Sequence, residues 1–169
     1  MKPRRIPNPK RQLRPRPQGE ETIAYLKQLA TTITYGGNPE HKRNPGDFGL
    51  QPPSQPRQGK TLCDEAEIFT RHDAQSVLRE GARRGLVSVQ ERSGWPQNVW
   101  AIAANGVAVE AMLENPLTGR YHGYPMLESD PLADEVVERW RNSSPETLLS
   151  AAIGRQRCMM LLKRAQHLP

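Results

Sequence analysis

The chain has 169 residues, enough for one domain with a real hydrophobic core plus tails, and too few for two comfortable domains. Its formal charge of +6 is uneven. Lys2, Arg4, Arg5, Lys10, Arg11, Arg14 and Arg16 stand in the first 19 residues without an acid, and the other 17 basic and 18 acidic residues leave −1. High basicity is therefore a property of the start of the chain, and it does not by itself make the folded part a nucleic-acid binder.

Cys63 and Cys158, with no CxxC and no Cys/His spacing suited to zinc, exclude a disulfide framework and a structural metal knot. No cofactor and no metal are expected, and the thiols fit a reduced, cytoplasmic setting. No apolar run reaches membrane-spanning length and the start lacks the apolar stretch of a secretory signal, so a membrane partner is not expected.

In chain order, residues 1–19 hold five prolines up to Gln18 and almost nothing apolar, and they read as a flexible basic arm. Arg4, Arg5, Arg11 and Arg14 would meet a phosphate backbone or an acidic surface, or simply keep the protein soluble. A single α+β domain is expected over 20–169. Ile23, Leu26, Leu29, Ala30 and Ile33 recur at helical spacing, and Tyr35-Gly36-Gly37-Asn38-Pro39 stops that helix. A proline-rich loop follows over 36–60. If Phe48 and Leu50 pin it to the body, His41, Lys42 and Arg43 become a basic lip over a site, and Lys60 joins them. Gln58-Gly59-Lys60-Thr61 resembles the end of a phosphate-binding loop. Ser54 holds the position of its first glycine and prolines fill the interval, which rules out the amide cradle.

Thr70-Arg71-His72-Asp73 is a capping signal for a second helix with Ala74, Val77, Leu78 and Ala82 on one face and Gly85 as its stop. Arg71 and His72 at its start are candidates to receive phosphate. Leu86 to Glu91 reads as a strand. Residues 98–113 read as a hairpin about Asn105-Gly106; a two-residue type I′ loop would pair Ile102 with Val109 and Trp100 with Ala111. Trp100, Ile102, Val107, Val109, Ala111 and Leu113 would then share the core face. A turn at residues 115–119 sets Glu114 opposite Arg120, Met112 opposite His122 and Glu110 opposite Tyr124. The expected architecture is helices packed on a small antiparallel meander of about four strands. Two C-terminal helices complete it, one capped by Asp130 with Pro131 at its start and one from Ser144-Pro145 to about Arg164.

Arg120, His122 and Tyr124 beside Glu110 place an imidazole, a cation, a phenol and a carboxylate on one sheet face. This set suits phosphodiester cleavage: Glu110 and His122 as base and acid, Arg120 for the charged phosphorane, and Tyr124 to orient or stack. From Thr70 to Pro125, helix followed by meander with such a face resembles the small bacterial toxin ribonucleases of the barnase, colicin and RelE type. That resemblance implies metal-independent RNA cleavage, RNA as the partner and often a cognate inhibitor protein, with Glu110, Arg120, His122 and Tyr124 as the matching positions. The proline-rich loop and the C-terminal helices depart from the minimal pattern. A noncatalytic RNA binder that stacks bases on Tyr121 and Tyr124, and a protein-interaction module working through the C-terminal helices, remain the alternatives.

Overall fold

A computed structural model describes Asn8 and residues 11–143. The first helix, α1 (Glu20–Thr32), buries Leu26, Leu29 and Ala30, and its opening Glu20 and Glu21 suit the positive end of the helix dipole. The second, α2 (Arg71–Arg83), begins with the reciprocal box read from sequence: the Asp73 amide donates to Thr70 Oγ1 at 3.1 Å and the Thr70 amide to Asp73 Oδ2 at 3.1 Å. It buries Ala74, Leu78, Gly81 and Ala82. A Cβ at Gly81 would stand 2.2 Å from the Trp100 carbonyl oxygen, so glycine is what lets α2 lie this close to the sheet.

That sheet is mixed, not purely antiparallel. Its order is β1 (Thr34–Tyr35), β6 (Arg120–Pro125), β5 (Ala108–Asn115), β4 (Asn98–Ile102), and β1 runs parallel to β6 with Tyr35 beside Tyr121. β2 (Glu91–Arg92) and β3 (Trp95–Pro96) form a separate two-stranded ribbon. The strand expected at Leu86–Glu91 is thereby split: Leu86 to Ser88 runs beside β4 through the Trp100 and Ser88 amides, and only Glu91 enters the ribbon.

The β4/β5 register differs from the expected one by one residue. Trp100 faces Glu110 and Ile102 faces Ala108. The cause is the loop. Gly106 alone takes positive φ (86°), its amide donates to the Ala103 carbonyl, and the Ala103 amide donates to Val107, which makes a three-residue loop with a glycine bulge in place of a two-residue type I′ turn. Val99, Ala101, Val109, Ala111 and Leu113 therefore face α1 and α2, while Trp100, Ala108 and Glu110 face the other way. On β5 and β6 the expected pairs Glu110/Tyr124 and Met112/His122 are present. A bulge near Glu114 puts Asn115 opposite Arg120.

Both sheet faces are covered. The far face receives α3 (Ala133–Arg141), whose Val136 is fully buried with Trp100, Leu86 and Met126. α3 starts two residues later than its proline suggested, and Asp130 Oδ1 accepts the Leu132 amide just before it. The second expected C-terminal helix lies outside the described residues. Leu13 joins the same cluster: the Arg14 amide donates to Val87 and the Val89 amide to Gln12, so residues 11–14 line the exposed side of the Leu86–Val89 run. From Arg11 onward, then, the expected free arm is docked. Phe48 is buried and does pin the proline-rich loop. Among the described residues no helix is long and apolar enough to cross a membrane.

Candidate active site

β6 carries two chemical side chains to one cleft. Because strand residues alternate, His122 and Tyr124 emerge on the face that α3 covers only in part. There they line an opening of about 400 Å³ with Met112, His41, Lys60 and Thr61. Asn38 starts the helical turn Pro39–His41 by accepting the Glu40 amide through Oδ1 at 3.0 Å, and that turn aims His41 at the cleft. The His41 ring stacks on Tyr124 with centroids 5.1 Å apart and planes at 26°.

The tautomer of His41 follows from its partner. Nδ1 lies 2.8 Å from the Thr61 carbonyl oxygen, which can only accept, so Nδ1 holds the proton and Nε2 keeps a lone pair. Thr61 is itself fixed to the end of β6, its Oγ1 donating to the Pro125 carbonyl at 3.0 Å. Lys60, which lines the cleft, directly precedes this anchored residue.

The two histidines share most of their surroundings. Burial pushes His41 below its ordinary value, the Thr61 bond works against that, and the charges of Lys60, Lys42 and His122 lower it further. Burial also lowers His122; the Glu114 carboxylate opposes this by favouring the imidazolium, and the charges of Lys42 and Lys60 lower it again. Both rings are held below the ordinary imidazole value, and the Glu114 carboxylate near His122 is what distinguishes them.

No family model matches this chain, and no curated protein or solved structure does. What the cleft can do is read from its own groups.

Glu110 is not available as a base. It is 1% exposed, both of its oxygens accept from the Arg11 guanidinium, and Oε1 also accepts Asn98 Nδ2 at 2.7 Å. Burial raises its carboxyl above the usual range against the pull of Arg11, and the guanidinium is held charged by its bonds to Glu110 and Asp130. Glu110 is a structural anchor for the N-terminal segment, at the floor of the cleft. Arg120 is not in the cleft either: it stands farther along β6 with its side chain 3.3 Å from Glu114.

The expected phosphate binders divide in the same way. Lys42 turns inward from the lip, 5% exposed, with Nζ 2.8 Å from the Tyr35 hydroxyl. Arg43 lies on the surface near Asp64. Arg71 donates to the Gly36 carbonyl at 3.0 Å, and His72 is almost fully exposed beside Asp73; neither lines the cleft. Arg14 is held by the Ser88 carbonyl and Glu91. Arg4 and Arg5 lie outside the described residues. His41 and Lys60 from the lip, and His122 and Tyr124 from the strand, do converge. Asn38 and Thr61 were missed; the Asn-Pro step ahead of His41 was the one local sign of a fixed turn there. Among the described residues no group of three or more His, Cys, Asp or Glu could hold a metal ion.

Proposed function

We propose that the cleft cleaves RNA by attack of the ribose 2′-hydroxyl on the adjacent phosphate, with His41 and His122 as the base and acid. His41 Nε2 takes the 2′-hydroxyl proton, the freed oxygen attacks phosphorus, and His122 as imidazolium protonates the departing 5′-oxygen. Lys60 steadies the charge that builds on the phosphorane oxygens. Tyr124 holds His41 in place through the stack and offers an apolar face to a base. The products are a 2′,3′-cyclic phosphate and a 5′-hydroxyl.

The observation that carries this is the convergence of two histidines and a lysine on one cleft, His41 with its Nδ1 proton fixed by the Thr61 carbonyl and His122 near the Glu114 carboxylate. His122 and Tyr124 keep the places that the likeness to small toxin ribonucleases assigns them. His41 takes the role first given to Glu110, and Lys60 that of Arg120. A cognate inhibitor that fills the cleft is the protein partner this chemistry would call for.

The test is incubation of the full-length protein with defined RNA in EDTA, with His41→Ala and His122→Ala alongside, resolving product length and end groups. Cleavage ending in cyclic phosphate and falling by about 100-fold or more in each variant supports the assignment. Cleavage unchanged in both variants overturns it, and intact RNA bound in a salt-sensitive way points to the noncatalytic binder.

A further inference from the structure

Behind the cleft, on the inner side of the loop that carries His41, lies a cluster the proposed chemistry does not use. Lys42 Nζ is 2.7 Å from Cys63 Sγ and 2.8 Å from the Tyr35 hydroxyl, and all three residues are buried. A contact between nitrogen and oxygen already runs at about 2.9 Å in an ordinary hydrogen bond, and sulfur is the larger atom. The Lys42–Cys63 separation is therefore too short for a relaxed N–H···S contact and much too long for a direct S–N bond. Two single bonds meeting at one bent oxygen span it.

A second feature points the same way. Cys63 also lines a partly open, mainly apolar cavity of about 30 Å³, with Tyr35, Val99, Ala101, Val109 and Ala111. A void of that size holds one molecule about as large as water, and apolar walls favour a nonpolar guest over water itself. Dioxygen meets both conditions, and it would sit against the thiol.

We propose that Lys42 and Cys63 form an oxidative cross-link, a single oxygen atom bridging the lysine nitrogen and the cysteine sulfur. The amine and the thiol react with dioxygen: one oxygen atom enters between N and S, and the other leaves as water with one hydrogen from each partner. Nitrogen and sulfur each give up two electrons, which balances the four that dioxygen takes. The ammonium of Lys42 first gives up a proton, a step its burial eases, and the neutral amine is the form that reacts. Two equivalents of a dithiol return the free amine, the thiol and a second water.

The bridge would tie the His41 turn to the segment that holds Lys60 and Thr61. It would also remove the Lys42 charge, which lowers both His41 and His122, so both histidines would titrate higher in the oxidised protein. None of this depends on RNA cleavage, so the two proposals fail separately.

The test is peptide mapping of the full-length protein after exposure to oxygenated buffer, without reductant and with thiols blocked on denaturation. Expected is a Lys42 peptide joined to the Cys63 peptide, heavier than their sum by one oxygen less two hydrogens. It should be lost on treatment with dithiothreitol and absent from Cys63→Ser. Imidazole proton titrations should move upward in the oxidised sample. A freely alkylated Cys63, a Cys63–Cys158 disulfide, or a joined pair lacking the oxygen would each overturn the proposal.

Discussion

Replacing Arg11 by alanine removes the partner of the most deeply buried carboxylate in the described structure. Glu110 is 1% exposed and Arg11 22%, so the pair is shielded on one side and only partly open on the other. Stranding a buried charge costs about 3–5 kcal/mol, and the partial exposure of Arg11 puts this case near the lower end, about 3 kcal/mol. For a chain of this size that lowers the melting temperature by roughly 6–12 °C. The sign of the pH dependence is fixed. Without Arg11 the Glu110 carboxyl moves further above its ordinary value, so the variant loses stability as pH rises from about 4 through that raised value. The deficit should therefore be small in mild acid and full at neutral pH. Urea unfolding followed by tryptophan fluorescence reads it directly, since Trp100 is fully buried beside Glu110. Arg11→Met combined with Glu110→Gln should recover much of the loss. A deficit under about 0.5 kcal/mol at neutral pH, or one independent of pH, would refute the docking of the N-terminal segment and the structural role of Glu110.

With both histidines pushed below their ordinary value, the rate profile should be a bell centred below about pH 6.5, its two apparent values belonging to the pair; an optimum near 8 would contradict it. Lys60→Ala should lower kcat by about 100-fold while Arg120→Ala, outside the cleft, should leave it within a few-fold, as measured on a dinucleotide substrate. Gly81→Ala would gain about 1 kcal/mol if helix propensity decided the outcome. The close approach to Trp100 reverses this, and a loss of about 3 kcal/mol is expected in urea unfolding.

The elements whose signals are local were legible. The Thr70/Asp73 box and the Gly-Gly-Asn-Pro stop act within a few residues, and α1 and α2 stand where they were read. The hairpin register was not, because Asn-Gly serves a two-residue and a three-residue loop alike. Val99 and Ala101 are also as apolar as Trp100 and Ile102, so the alternation offers no arbitration when both faces are buried. β1 spans two residues, too short to carry a pattern, and its place beside β6 is set by packing. Half of the site was visible because His122 and Tyr124 are two apart on one strand. His41 and Tyr124 are more than 80 residues apart along the chain, and Arg11 meets Glu110 across 99, separations at which composition still reads as a tail and a linker.

The ties of Arg11 to Glu110 and Asp130 join positions 99 and 119 residues apart along the chain. During synthesis the N-terminal segment emerges first and must wait for the middle and late parts of the chain before it has anything to grip. The cleft is walled by that segment, by Asp130 and by β6, so its geometry is complete only once Asp130 has been made and is free to pack. For a chain proposed to cut RNA, this ordering keeps the nascent polypeptide inactive until Asp130 has cleared the ribosome, itself built largely of RNA.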